Sequence, residues 1–272
     1  MPELPEVETT VKGLKVIRKQ KINNIHIHTK KLRFKIPTNI KKLLMGSKIS
    51  DIKRIAKYII LDLDNNYSVV IHLGMSGRLK LNNLNYNKLK HDHLIIMLNN
   101  KKILIFNDPR KFGFIDIVQT KYLNQKKYIL NLGCDALSKK LNYQYLYNKI
   151  YKSDVQIKQI LLNQKIIAGI GNIYASEILF DAKISPLTPG KKLKISNIMR
   201  LISSIRKILR KAIRYGGSSI RDYQNIDGTL GNFQNNFKVY GKEGEYITNE
   251  KIVKIIQHGR STFYCQKLQN NK

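Results

Sequence analysis

Two cysteines in 272 residues, Cys134 and Cys265, are too few for a disulfide framework, and the pattern fits a reducing cytosol. Acidic residues are scarce too: 18 Asp and Glu stand against 50 Lys and Arg, a net charge of +32. No apolar run approaches the ~20 residues a membrane-spanning helix needs. The start, MPELPEVETT, is acidic and carries two prolines, the reverse of a basic then apolar secretory signal. These shortages argue against secreted disulfide scaffolds and membrane proteins, and predict a cytoplasmic chain.

With 42% apolar residues, the chain can bury real cores in two domains of ordinary size, which argues against disorder and fibrous repeats. The basic excess creates a field that collects polyanions, DNA or RNA first among them. Drift toward AT-rich codons, visible in the abundant Lys, Asn and Ile, is an alternative source of lysine.

Val7, Val11, Leu14 and Ile17 fall at helical spacing, with Lys12, Lys15 and Arg18 elsewhere on the wheel, predicting a first amphipathic helix that docks on a sheet. From Ile22 to Val118 the chain reads as short strands, INNIHIHT, KYIILDLD, YSVVIHLGM, HLIIMLNN, KKILIFND and FGFIDIV, separated by Asn, Gly and Pro clusters. That pattern indicates a β-sandwich or barrel. Beyond about residue 135, KSDVQIKQILLN, NIYASEILFDA and ISNIMRLISSIRKILRKAI carry helical periodicity as far as Tyr215. The stretch 216–236, rich in Gly, Ser, Asn and Asp, is too long for an ordinary connection and reads as a functional loop. The tail from Phe237 to Cys265 alternates like a hairpin.

If Met1 is removed, Pro2 presents a secondary amine whose pKa near ~8 leaves a nucleophilic fraction at neutral pH. Attack on a sugar carbon would give an iminium ion, an electron sink that eases elimination, with Glu3 as the adjacent acid or base. The plainer reading is a Pro-Glu helix start whose acids favour the macrodipole.

The whole string MPELPEVETTVKGL, followed in order by AKY at 56–58, HLGMSG at 72–77, KHDH at 90–93, NDPRKFG at 107–113, GIGNIYASEILF at 169–180 and HGRSTFYC at 258–265, resembles the formamidopyrimidine-DNA glycosylases. These bifunctional enzymes remove oxidised purines such as 8-oxoguanine, and the resemblance covers essentially the full chain. It implies an α+β protein: an N-terminal β-sandwich with a leading helix over 1–133, a helix-two-turn-helix domain with a lesion-capping loop over 134–235, and a finger-like hairpin over 236–272. Damaged double-stranded DNA, bound by a monomer across the cleft between domains, is the implied partner. No external cofactor is expected, since amines and carboxylates suffice.

Residue by residue, the resemblance makes Pro2 the nucleophile at C1′ and Glu3 the proton shuttle of sugar-ring opening. Lys57 is assigned to β-elimination and phosphate contact, and Arg260 to a phosphate and δ-elimination. A base taken out of the stack leaves a hole; Met75, Arg110 and Phe112 match the set that fills it, Arg110 facing the orphaned base, preferentially cytosine. His91, Lys152, Ser153, Lys158 and Asn172 are implied DNA contacts, the match around KSD being looser than elsewhere. Asn172 also reads as a helix cap. The 216–236 loop stands where the family closes over an everted 8-oxoguanine.

One departure concerns metal. The family usually ends in a hairpin holding zinc through two C-x-x-C pairs, whereas here only Cys265 of the later pair remains, Leu268 takes the fourth position, and EGEYITNEK holds no cysteine. Four ligands are needed, so no zinc is expected. Ile252, Val253, Ile255, Ile256, Phe263 and Leu268 are the apolar residues expected to fill the metal's place. Three other readings compete: the sister branch acting on oxidised pyrimidines, a damaged-DNA binder that has lost catalysis, and a general RNA-binding protein.

Overall fold

Helix α1 (Leu4–Leu14) begins with Glu3 as N-cap and Pro5 in the first turn, while Glu3 and Glu6 close a reciprocal capping box. Its Val7, Val11 and Leu14 are buried, as the helical spacing predicts. They dock on strands β1 (Ile22–Ile27), β2 (Ile49–Ile55), β3 (Tyr58–Leu63), β4 (Tyr67–His72), β5 (Arg78–Asn83), β6 (Asp92–Leu98), β7 (Lys102–Asn107) and β8 (Phe114–Gln119), with a short α2 (Ile40–Leu44) between β1 and β2. This is a computed structural model in which residues 1–219 and 224–270 are described.

The eight strands form two four-stranded antiparallel sheets, ordered β2-β3-β4-β8 and β1-β6-β7-β5. One apolar core joins both: Ile52, Leu61, Val69 and Ile115 from the first sheet meet Ile25, Leu94, Leu104 and Phe106 from the second. This is the sandwich the sequence predicts. Two strands escape sequence reading, β2 and β5, and both are sheet edges. Edge strands carry charges that discourage further pairing, so Asp51, Lys53 and Arg54 in β2 and Lys80, Asn82 and Asn83 in β5 look like turn sequence. In β1 a register shift between Ile22 and Asn24 breaks the alternation, which is why Ile22 and Ile25, three apart, are the buried pair.

The first unit comprises Met1–Leu130 and Tyr215–Gln234, and includes α3 (Lys127–Leu130). Most of the 216–236 loop therefore belongs with the sandwich rather than with the helical domain assigned from sequence. The physical reason is direct contact. Ser218 bonds Glu6, Leu81 N–H donates to Ile226 C=O at 2.9 Å, and Gln224 accepts a hydrogen bond from Arg78. Residues 220–223 of this loop lie outside the described residues.

The second unit, Asn131–Arg214 with Asn235–Lys272, contains α4 (Tyr143–Ile150), α5 (Ile157–Leu162), α6 (Asn172–Asp181) and the long α7 (Ile195–Arg214). A two-residue parallel pair, β9 (Cys134–Asp135) with β10 (Ile167–Ala168), opens it. Helix α4 is not apparent from apolar periodicity because its exposed stripe is aromatic: Tyr143, Tyr147 and Tyr151 stack at i, i+4 spacing, ring centroids 5.5 Å apart at each step. The KSDV of the segment read as helical is irregular, and only its second half is α5. The finger is part of this unit rather than a separate domain. It has three strands, β11 (Tyr246–Ile247), β12 (Glu250–Gln257) and β13 (Arg260–Cys265), rather than two.

Candidate active site and nucleic-acid interface

Pro2 and Glu3 are buried at the start of α1, so the helix fixes their place. Glu6 organises the surroundings: its carboxylate accepts the Glu3 N–H at 2.8 Å, and accepts the N–H and hydroxyl of Ser218 at 2.8 and 3.1 Å. Gly217, at φ +78, has Glu6 so close that a Cβ there would lie 3.0 Å from its side chain. The GGSS start of the long loop is thus fastened to the helix that carries the candidate nucleophile.

Lys57 sits in the two-residue turn joining β2 to β3, next to Ala56 at φ +52. Arg54 ties that turn to α1, donating to Glu8 at 2.7 Å and to the Ala56 carbonyl at 2.9 Å. Lys57 is itself only 7% exposed. Beside it, His72 accepts the Gly74 N–H on Nδ1 at 3.0 Å; burial, with the Lys57 and Arg33 cations adding to it, pushes its pKa down to about 4. A neutral His72 adds no positive charge beside Lys57.

Met75 and Phe112 are 40% and 44% exposed, large apolar side chains held out on turns. Arg110 lies with its guanidinium carbon 4.8 Å from the centre of the Phe112 ring. What holds the two turns together is Asp108, fully buried. One carboxylate oxygen accepts the Ser76 hydroxyl at 2.6 Å, the other the Gly113 N–H at 2.8 Å, and Ser76 Oγ accepts the Arg110 N–H at 3.1 Å. Gly74, at φ +63, lets the turns touch: a Cβ there would stand 2.4 Å from Gly113 N. His91, half-buried, is joined to the same assembly, its carbonyl accepting the Asp108 N–H at 3.1 Å.

In the second unit, Lys152 is exposed in the turn after α4, its ammonium 5.3 Å from the Tyr151 ring, and Ser153 beside it is half-buried, its Oγ accepting the Val155 N–H. Arg260 opens β13 directly after the turn His258–Gly259, whose residues have φ +46 and +71. Both left-handed residues match a type I′ hairpin, which suits strand twist. A cleft of about 280 Å³ lies beside it, lined among others by Lys158, Asn163, His258 and Arg260.

Lys158 departs from the expected exposed contact. It is 1% exposed, and its ammonium donates to the Ser261 carbonyl at 2.9 Å and to Thr262 Oγ at 2.6 Å. Its charge is spent on holding β13. Asn172 also differs: Gly171 is the N-cap of α6, and the Asn172 amide donates to the Ser261 carbonyl at 2.9 Å. On the other flank of the turn, Gln257 donates to Gln156 at 2.7 Å. Glu177, whose carboxyl burial pushes up, nevertheless accepts N–H groups from Lys238, Val239 and Tyr240 at 2.8 to 2.9 Å. None of these braces carries a sequence motif of its own; Asp108 and Glu177 are legible only as polar residues inside matching blocks.

Comparison with known proteins decides the family. Residues 1–115 match the formamidopyrimidine-DNA glycosylase N-terminal domain, and residues 132–224 its H2TH domain. The chain belongs to the formamidopyrimidine-DNA glycosylase family. A relative from Zymomonas mobilis named formamidopyrimidine-DNA glycosylase is 45% identical over 99% of this chain and all of its own, and one from Rickettsia africae is 42% identical over 99% of both. Among solved structures, a complex of a Lactococcus lactis FPG variant with Fapy-dG-containing DNA aligns at TM-score 0.92 and 36% identity, over 99% of this chain and all of the other. A complex of Lactococcus lactis Fpg with abasic-site DNA matches equally well, TM-score 0.92.

The family's structural zinc does not fit the residues here. Among the described residues no three His, Cys, Asp or Glu side chains cluster as a metal site would require. A C-x-x-C pair bracketing the β11–β12 turn, Thr248–Asn249, would fall on Ile247 and Glu250; the first packs against Val239, Ile252 and Phe263, and the second is paired with Lys267 at 3.0 Å. The apolar cluster expected from sequence is correspondingly different: Ile252 and Phe263 are in it, Val239, Phe180, Tyr240 and Ile247 join it, and Ile256 is 66% exposed.

Proposed function

We propose that this chain, once Met1 is removed, is a bifunctional DNA glycosylase and abasic-site lyase of base excision repair, acting on oxidised purines in duplex DNA. The observation that carries this is the placement of Pro2 and Glu3 at the buried start of α1, with Lys57 tied to the same helix through Arg54 and Glu8. Activity and substrate class are supported by the family and by relatives whose complexes hold Fapy-dG and abasic-site DNA.

The chemistry follows from an amine, a carboxylate and two cations. The Pro2 nitrogen bonds to C1′, the bond from C1′ to the damaged base breaks, and the base leaves with the electron pair. Glu3 hands a proton to the ring oxygen as the sugar opens, leaving an iminium. That cation accepts the electrons of the C2′–H bond as the proton passes to a base, the step to which Lys57 is assigned, and the 3′ phosphate departs with the C3′–O electron pair; a second elimination, assigned to Arg260, releases the 5′ phosphate. Met75, Arg110 and Phe112 fill the space of the everted nucleotide, and His91, Lys152 and Ser153 are DNA-facing residues in this reading, while Asn172 and Lys158 brace the strand that carries Arg260. No metal takes part in any step.

Borohydride added to Met-processed protein and a duplex with 8-oxoguanine opposite cytosine should trap a covalent adduct, and Pro2→Gly or a retained Met1 should abolish it. Binding without trapping, with processing confirmed by mass, would refute the enzyme reading for this substrate and favour oxidised pyrimidines next.

A further inference from the structure

We propose that Gln269 does for this finger what the metal does elsewhere in the family, fastening its far end, and that it is thereby a positioning residue for Arg260. The inference rests on the lyase reading above.

Gln269 has no exposed surface. Its Oε1 accepts the Cys265 N–H at 2.8 Å, its backbone N–H donates to the Cys265 carbonyl at 3.0 Å, and its Nε2 donates to the Ile184 carbonyl at 2.9 Å. A buried primary amide with both ends engaged is a fixed link, since each bond lost inside the fold leaves a group unsatisfied. Ile184 is itself anchored: its N–H donates to Leu179 C=O, the Lys183 N–H to Phe180 C=O, and Lys183 has φ +53, the Schellman closure of α6.

Helix α6 therefore grips β13 at two points. At its start Asn172, helped by Lys158 from α5, holds Ser261, the residue after Arg260; past its end Ile184, through Gln269, holds Cys265, the last residue of β13. One grip alone leaves a strand free to pivot about it. Two grips four residues apart fix the direction of the strand, and with it the residue at its tip. Ile247 in the apolar cluster and the Glu250–Lys267 pair close the remaining side of the finger.

Gln269→Ala should lower δ-elimination on abasic-site DNA by roughly tenfold, the scale of a sub-ångström to ångström misplacement, while β-elimination and borohydride trapping through Pro2 stay within about twofold. The unsubstituted protein should hold no zinc by elemental analysis and keep its product ratio under a strong chelator. In Gln269→Ala carrying Ile247→Cys, Glu250→Cys and Leu268→Cys beside Cys265, bound zinc should restore δ-elimination. An unchanged product ratio in Gln269→Ala, loss of trapping together with δ-elimination, stoichiometric zinc in the unsubstituted protein, or a zinc-loaded cysteine variant without recovery would each overturn the proposal. Failure of the unsubstituted protein to trap at all would instead remove the lyase reading.

Discussion

His72 shows how a side chain with no reacting role still conditions the site. Its pKa of about 4 lies below the unfolded value of 6.5, so the unfolded chain binds the extra proton between those values and the folded one resists it. The sign follows: stability from this group is complete above pH 6.5 and is lost as pH falls toward 4, on the order of 3 kcal/mol in all. Urea midpoints measured from pH 7 to pH 4.5 should fall in the natural protein and fall less in His72→Gln. The residues proposed to react, Pro2, Glu3, Lys57 and Arg260, were legible because each lies inside a recognisable string. Their supports were not. Glu6 and Asp108 lie inside such strings but their roles, like those of Arg54 and Gln269, depend on partners dozens to hundreds of residues away or on backbone groups, and such pairings leave no local pattern.

At the scale of the element, legibility follows burial. The strands with apolar alternation or runs, β3, β4, β6 and β7, were readable, as was α7, whereas the polar edges β2 and β5 and the tyrosine-faced α4 were not. The HLGMSG and NDPRKFG turns behave as one element because Gly74 lets their backbones touch. Gly74→Ala places a methyl 2.4 Å from Gly113 N at a φ of +63, a clash with backbone that no rotamer relieves. Strain of this kind costs about 1–3 kcal/mol or more and should also separate Met75 from Phe112. The expected result is a melting temperature lower by several degrees and at least a tenfold loss of excision from duplex. Cleavage of single-stranded abasic DNA, which has no stack to fill, should change much less.

For the whole molecule, +32 is far more charge than the candidate contacts use. Lys57, Arg110, Lys152 and Arg260 supply four cations, and Lys158 is occupied with the finger. If the remaining lysines are surface drift, the logarithm of the binding constant for damaged duplex should fall with log salt at a slope of about −4, since each phosphate contact contributes roughly −0.9. Arg260→Ala should reduce that slope by about 1; a slope beyond about −10 would mean that the basic surface at large grips DNA.

The amide that closes the finger has a consequence under oxidative stress. Peroxide and related oxidants convert thiolates to sulfenic acids and disulfides, and a four-thiolate centre releases its ion when that happens. The same oxidants create 8-oxoguanine. In the proposed arrangement a glutamine closes the finger and its one thiol, Cys265, is buried, so oxidants meet no exposed thiolate there. On this proposal the clasp holds under the same conditions that oxidise DNA bases.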